Sequence, residues 1–114
     1  MTLNERQFKF TQMVADLIRW SYIHGFDLTF GEAYRTPEQA ALNAQKGTGI
    51  ANSLHCKRLA IDLNMFKDGI YQTDSEAYRP MGDYWVKLDP DCRWGGDFTT
   101  RKDGNHFELV ETSV

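Results

Sequence analysis

Two short segments, far apart in the chain, carry the residue types that could bind a catalytic metal ion. The first, residues 53–62, contains His55 and Asp62, and the second, residues 103–108, contains His106. Two imidazoles and one carboxylate are a ligand set that holds zinc while leaving one coordination position open for water. His55, Asp62 and His106 are therefore the candidate zinc ligands, and hydrolysis is the chemistry that they predict.

The alternation of residues around Asp62 predicts how this carboxylate is presented. The segment from Leu59 to Phe66 indicates a strand in which every second side chain is strongly apolar, and Asp62 lies on the other face. His55 comes seven residues earlier, an odd separation that would put it on the opposite face of one straight strand. We therefore expect His55 to lie in the turn that enters the strand.

The second segment predicts another strand, from about Asn105 to Val110. His106 and Glu108 share one face of this strand, and the alternate apolar residues enter the core. Asp103 precedes the strand in a turn, where its carboxylate could lean over the metal without binding it. Glu108 would lie roughly 6.5 Å along the strand from His106. Spacing alone does not choose between Asp103 and Glu108 as the general base.

The rest of the chain predicts helices and short strands that support these two segments. One helix begins at Asn4, with Gln7 three residues later, and ends at Gly25. A second begins after Thr36, with a proline at its first position, and ends near Gly47. The other predicted elements are a strand at 27–30, a loop at 46–52, a turn at 67–69, a helix at 75–88 broken at Pro80, and a loop at 89–94. This order predicts an α+β fold, with a small, mostly antiparallel sheet flanked by helices.

Length and composition narrow the class of protein. The 114 residues fit one domain, 1–114, and the 13 Lys and Arg against 16 Asp and Glu give a formal charge of −3 without a basic cluster. This charge pattern argues against a nucleic-acid partner, because phosphate binding needs clustered cations. We expect no signal peptide and no membrane insertion, synthesis in the cytoplasm, a monomer, and free thiols at Cys56 and Cys92.

The two segments also resemble a known family. The family pattern Ser-x-His-x-x-Gly-x-Ala-x-Asp matches at Ser53, His55, Ala60 and Asp62, and an acidic residue stands three positions before His106. This pattern is similar to that of the zinc peptidases that cleave bacterial cell-wall peptides. They include D-Ala-D-Ala carboxypeptidases and dipeptidases and the L-alanyl-D-glutamate endopeptidases used as phage endolysins.

The resemblance covers roughly residues 31–109 and departs from the pattern at one position. It extends to Tyr34-Arg35-Thr36, to Trp94-Gly95-Gly96-Asp97 and to Asp103-Gly104-Asn105-His106-Phe107-Glu108. Arg58 stands where many members have glycine. We expect this substitution to alter the turn after His55 without disrupting the metal site.

The resemblance implies a fold and a role for each site residue. The fold is that of Hedgehog and DD-peptidase domains. Asp103 corresponds to the acid/base of the family, which leaves Glu108 to orient a ligand imidazole or to close a salt bridge. Arg35 is assigned to a substrate carboxylate or to the developing oxyanion. Ser53 is implied to contact substrate, and Trp94 is expected to wall the groove.

The resemblance further implies a substrate and a biological role. The expected activity is zinc-dependent hydrolysis of the peptidoglycan stem peptide at its L-alanyl-D-glutamate bond, by a phage endolysin during host lysis. Without an export signal, the enzyme would reach the wall only after the membrane is permeabilised. The alternatives are a D-Ala-D-Ala carboxypeptidase or dipeptidase, and a zinc-stabilised wall-binding module without turnover.

Overall fold

The computed structural model describes residues 1–47, 49 and 52–111 and contains three α-helices and five strands in that part of the chain. The α-helices are α1 (Leu3–Ile23), α2 (Pro37–Gln45) and α3 (Arg79–Leu88). The strands are β1 (Asp27–Phe30), β2 (Ala60–Lys67), β3 (Ile70–Tyr71), β4 (Cys92–Trp94) and β5 (His106–Leu109). Three 3-10 helices span Leu54–Lys57, Ser75–Tyr78 and Gly95–Asp97.

The strands form one antiparallel sheet in the order β1-β2-β5-β4, and β3 also pairs with β2. Side chains alternate across the sheet, so each strand divides into two sets. One set packs with α1 and α3 into the core, with Leu63, Phe107 and Trp85 fully buried. The other set contains Asp62, His106 and Glu108, which therefore lie on the face away from that core. The predicted α+β fold with a mostly antiparallel sheet is confirmed.

The start of α1 differs from its prediction. Asn4 and Gln7 bond each other through their side chains, and the cap of the helix is Thr2. Thr2 accepts a hydrogen bond from the Glu5 amide, and the Glu5 carboxylate accepts one from the Thr2 amide. Thr2 is the better cap because this reciprocal pair satisfies two backbone amides that would otherwise have no partner in the first turn. The predicted end is confirmed at Gly25, which has a φ of 85°.

The segment between β3 and β5 contains two further corrections. The break expected at Pro80 lies one residue earlier, where a 3-10 helix ends and α3 begins at Arg79. Proline fits the first turn of a helix because its missing N–H would have no intrahelical partner there. The predicted loop at 89–94 is wrong over its last three residues, since Cys92–Trp94 form β4. β3 was not predicted.

The segment between β1 and β2 contains one predicted helix and one predicted loop. The helix expected after Thr36 is confirmed, with the Thr36 hydroxyl accepting from the Gln39 amide. The predicted loop at 46–52 lies partly outside the described residues, which omit Thr48, Ile50 and Ala51.

No helix in the described part of the chain is both long enough and apolar enough to span a membrane.

Candidate metal and catalytic site

Asp62 and His106 face each other across two neighbouring strands. They are direct partners in the antiparallel register of β2 and β5, so their side chains project from the same face of the sheet. His106 Nδ1 lies 3.2 Å from Asp62 Oδ1. The alternation in the sequence correctly puts each residue on the face away from the core, and the register of the two strands brings them together.

His55 reaches the same carboxylate from a short 3-10 helix. His55 Nε2 lies 3.4 Å from Asp62 Oδ1, and the His55 side chain is only 3% exposed. The Ser53 hydroxyl begins this helix by accepting a hydrogen bond from the His55 amide, at 3.2 Å. The expectation that His55 lies in the turn entering the strand is confirmed.

Arg58 ends the 3-10 helix that carries His55. Its φ of 57° and ψ of 38° are the left-handed conformation that glycine adopts most easily. The arginine thus stands at a backbone position that favours glycine, and the expectation that it alters the turn relative to the family stays a prediction. The Arg58 guanidinium stacks 4.0 Å over the Tyr34 ring, a cation–π contact that offsets part of the strain of this backbone conformation.

His55, Asp62 and His106 can converge on one metal ion. Each offers one ligand atom, and the three atoms all lie within 4.8 Å of one another. The second ring nitrogen of each histidine faces an acceptor: His106 Nε2 lies 2.6 Å from Glu108 Oε1, and His55 Nδ1 lies 3.5 Å from the Ala33 carbonyl. Such contacts fix which ring nitrogen is free to bind metal. The donor set and its surroundings thus fit zinc.

The electrostatics of the site favour a cation between these groups. Burial by itself would raise the pKa of Asp62, but hydrogen bonds from His106 and His55 outweigh it and lower that pKa to about 2. Burial lowers the pKa of His106, whereas hydrogen bonds to Asp62 and Glu108 raise it to about 9. Positive charge at this point is therefore stabilised by the two carboxylates that flank the imidazole.

Asp62 can approach the site because a glycine lies beside it. The Gly31 amide donates to the Asp62 carbonyl at 2.8 Å, and the Asp62 amide donates to the Glu32 carbonyl at 2.9 Å. A Cβ at Gly31 would lie 2.9 Å from the Cβ of Asp62, closer than unbonded carbons pack. The chain beyond β1 thus holds the Asp62 backbone on the side opposite β5.

Asp103 sits in a turn whose backbone is held from several sides. Its amide donates to the Gly95 carbonyl and its carbonyl accepts from the His106 amide, both at 3.0 Å. The next residue, Gly104, donates to Ser75 Oγ at 3.0 Å and accepts from Trp94 Nε1 at 2.7 Å. Gly95 is required here because a Cβ would lie 2.1 Å from the Asp103 carbonyl oxygen.

The side chain of Asp103, in contrast to its backbone, is half-exposed and faces the metal ligands. Its Oδ2 lies 4.0 Å from His106 Nδ1, too far for a hydrogen bond. Partial burial and the nearby Asp62 charge raise the pKa of Asp103 above its usual value. A carboxylate with this raised pKa, beside a metal site and without a direct bond to it, is suited to accept and return a proton.

Arg35 reaches the same region from the segment between β1 and α2. Its amide donates to the His55 carbonyl at 3.3 Å, and its Nη2 donates to Glu32 Oε1. This bond to Glu32 raises the pKa of Arg35 further. Among the described residues, Arg35 Nε is buried without a hydrogen-bond partner. This buried N–H is thus left unsatisfied within the described residues, while the rest of the guanidinium lines the cavity.

Ser53 lies at the cavity as the resemblance implies, whereas Trp94 does not. Ser53 lines the cavity next to His55, but its hydroxyl caps the helix below the imidazole. Trp94 was expected to wall the groove, and this is wrong: its indole is 1% exposed and packs against Gly82 and Gly96. The large ring makes more apolar contacts in the core beneath the site than it would at the cavity edge. Its Nε1 donates to the Gly104 carbonyl and so supports the turn that contains Asp103.

An open cavity of about 1100 Å³ contains the metal ligands, Asp103 and Arg35. A smaller polar hollow of about 290 Å³ shares Lys102 and Asp103 with it and continues toward Ser75. Space is therefore available on both sides of Asp103.

Two residues of the site were missed by the sequence reasoning. Glu32 bonds Arg35 and also lies 3.8 Å from His55 Nδ1, and Arg93 bonds Glu108. Nothing in the local sequence marks Glu32. Arg93 could have been found only if β4 had been predicted, since its contact follows from the pairing of β4 with β5. Cys56 and Cys92 are free thiols as expected.

The fold and site together define a metallopeptidase class, and comparison with known proteins identifies the family. A family model described as D-alanyl-D-alanine carboxypeptidase matches residues 46–109, which include the three candidate ligands and Asp103. The chain belongs to this family of zinc peptidases that act on peptidoglycan. Zinc is accordingly the cofactor that both the family and the donor set indicate. No curated protein matches the sequence significantly.

Solved structures of similar fold include an endopeptidase and two VanY complexes. The Serratia marcescens L-Ala D-Glu endopeptidase ChiX is 20% identical, with a TM-score of 0.74 over 90% of this chain and 78% of that chain. A mutant of the vancomycin resistance D,D-pentapeptidase VanY in complex with Zn(II) is 21% identical, with a TM-score of 0.55 over 90% and 71%. VanYB in complex with D-alanine-D-alanine is 22% identical, with a TM-score of 0.55 over 90% and 70%.

Proposed function

We propose that this protein is a zinc-dependent endopeptidase that hydrolyses the L-alanyl-D-glutamate bond of peptidoglycan stem peptides. One observation supports the proposal most directly: His55, Asp62 and His106 converge in a cavity that is also lined by a half-exposed acid, Asp103, and by the partly buried guanidinium of Arg35. A binding module without turnover would need the three ligands but would have no use for Asp103 beside them.

The proposed chemistry divides the reaction among a few groups. Zinc held by the two imidazoles and Asp62 would polarise the scissile carbonyl and make water more acidic. Asp103 accepts a proton from the attacking water and delivers it to the amine that leaves, so that the peptide C–N bond is replaced by a carboxylate and a free amine. Arg35 offsets the negative charge that develops on the carbonyl oxygen.

Arg35→Ala is expected to lower kcat/KM by about 10²-fold, the range for losing one donor to a developing oxyanion. Zinc content should stay unchanged because Arg35 contacts Glu32 and the His55 carbonyl but none of the ligand atoms. Arg35→Lys should recover only part of the activity, since a point charge cannot reproduce the planar fork. Steady-state kinetics with parallel metal analysis checks this, and full activity of Arg35→Ala would remove Arg35 from the mechanism.

Cleavage inside the peptide is favoured by the room around the centre. The main cavity and the smaller hollow share Lys102 and Asp103 in their walls, which leaves room beyond Asp103 for further substrate residues. A carboxypeptidase needs room for only one or two residues beyond the bond. The higher TM-score of the endopeptidase ChiX, compared with both VanY complexes, supports the same choice.

Digestion of purified peptidoglycan tests the bond specificity. The zinc-loaded protein should expose new N-terminal D-glutamate, while Asp103→Asn protein prepared in the same way serves as the control for contaminating hydrolases. Release of free D-alanine with the L-alanyl bond intact would move the protein to the carboxypeptidase branch. Absence of any new terminus would contradict the proposed peptidase activity altogether.

A role as a phage endolysin is part of the proposal and is supported by the motif resemblance of residues 31–109. In this role the protein acts on the wall of the host cell after the membrane has been permeabilised, as a monomer without nucleic-acid partners. Expression in a bacterial host with and without a membrane-permeabilising protein tests it. Lysis should require both proteins, and lysis that needs no membrane lesion would contradict the proposed route to the wall.

A further inference from the structure

Glu108 is a buried carboxylate that bonds two different partners with its two oxygens. Its side chain is 7% exposed. Oε1 lies 2.6 Å from His106 Nε2, and Oε2 accepts from Arg93 Nε at 2.8 Å and from Arg93 Nη2 at 2.5 Å. Arg93, Glu108 and His106 therefore form a continuous chain that leads from the cavity rim to a metal ligand.

The backbone fixes the geometry of this chain. Arg93 and Glu108 are direct partners in the register of β4 and β5. Trp85 Nε1, from α3, donates to the carbonyl oxygens of both residues at 3.1 Å. The two strands are thus held together at the same point where their side chains bond, and Glu108 has little freedom to turn away from Arg93.

We propose that Arg93 is a positioning residue for the metal site, which acts by holding Glu108 against His106. With Glu108 fixed, His106 Nε2 donates its proton to Glu108, and Nδ1, which faces Asp62, is the nitrogen that would bind the metal once its own proton is released. The inference rests on one part of the proposed function, the zinc site, and does not require that the protein cleaves peptidoglycan.

The arrangement on the other imidazole shows why Arg93 differs from Arg35. Glu32 also links an arginine to a histidine, but it lies 3.8 Å from His55 Nδ1 and is one-third exposed. Arg35 there bonds Glu32 through Nη2 alone and lines the cavity, so the rest of its guanidinium is not committed to that carboxylate. Arg93 instead places Nε and Nη2 together on one carboxylate oxygen. The first arginine is therefore suited to binding substrate, and the second to holding a ligand.

The test measures metal binding without substrate. Two properties are measured: zinc affinity, by competition with a chromophoric chelator, and the absorption spectrum of the Co(II) protein. The proteins compared are the wild type, Arg93→Ala, Arg93→Lys and Glu108→Ala. Arg19→Ala is the matched control, because Arg19 is an exposed arginine on α1. Arg93→Ala should lose roughly tenfold in zinc affinity and alter the Co(II) spectrum, the lower end of the range for outer partners of a metal ligand. Arg93→Lys should recover part of this loss, and Arg19→Ala should match wild type.

The double variant decides whether Arg93 acts through Glu108. Arg93→Ala added to Glu108→Ala should cost little further zinc affinity, because the residue through which it acts is already gone. Glu108→Gln replaces Glu108→Ala if the latter does not fold. Equal losses in both backgrounds, or unchanged zinc affinity with a raised KM, would overturn the inference, the second result making Arg93 a substrate contact. If the coupling in zinc affinity is found but peptidoglycan is not cleaved, the inference holds and the proposed function fails.

Discussion

His55→Ala and His106→Ala proteins are expected to lose zinc and all peptidase activity. Each variant removes one of the three side chains whose ligand atoms come together in the described part of the chain, and two protein ligands hold zinc much more weakly than three. Zinc content should fall from about one ion per chain in the wild type to near zero in both variants. Metal analysis after gel filtration provides the measurement.

The third histidine of the chain supplies a matched control. His24 lies at the end of α1, where its Nδ1 is 2.8 Å from the Trp20 carbonyl and its ring stacks on the Trp20 indole. His24→Ala should therefore retain zinc and activity, as expected for a structural residue. Full zinc in both His55→Ala and His106→Ala would eliminate the proposed site.

A thermal measurement separates loss of metal from loss of fold. Zinc at about 100 times its Kd should stabilise the wild type by about 2.7 kcal/mol, because it binds the folded chain. The same addition should leave the unfolding temperature of His55→Ala unchanged. His106→Ala also leaves the Glu108 carboxylate without its imidazole partner, so a lower unfolding temperature is expected for it even without metal.

The metal ligands were predictable because the local geometry of a strand is regular. Alternation along β2 and β5 was enough to put Asp62 and His106 on the face away from the core, and the odd spacing was enough to place His55 in a turn. The register that sets Asp62 opposite His106 was not predictable, since it depends on pairing between segments 44 residues apart. The expectation that these residues share one metal ion came from their residue types and from the resemblance to the family motif.

Trp94 and β4 show where sequence reasoning failed. A three-residue strand is too short for its alternation to be distinguished from a loop, so the contact between Arg93 and Glu108 could not be foreseen. For Trp94, the sequence does not decide between a position on the wall of the groove and a position in the core beneath it, because an indole packs well in both. The choice is made by Gly82 in α3, whose missing side chain leaves space for the ring, and no local pattern links these two residues.

Asp103→Asn is expected to reduce turnover by roughly 10²–10⁴-fold, the contribution typical of a general acid/base. Asparagine keeps the size of the side chain but cannot accept and return a proton. Zinc content should not change, because Asp103 Oδ2 lies 4.0 Å from His106 Nδ1 and Asp103 is not one of the three converging ligands. The thermal transition should also stay near that of the wild type, since the anchoring bonds of Asp103 are made by its backbone.

Glu108→Gln is the comparison that makes the Asp103 assignment falsifiable, since Glu108 is the other acid next to His106. Glu108 is 7% exposed and already bonded through both oxygens, to His106 and to Arg93, so it has no oxygen free to take a proton from water in the cavity. Its replacement should weaken zinc binding, and activity should return when zinc is added in excess. Excess zinc should not rescue Asp103→Asn. If Glu108→Gln were instead inactive with its metal intact while Asp103→Asn remained active, the base would be Glu108, and the raised pKa and cavity position of Asp103 would have no catalytic role.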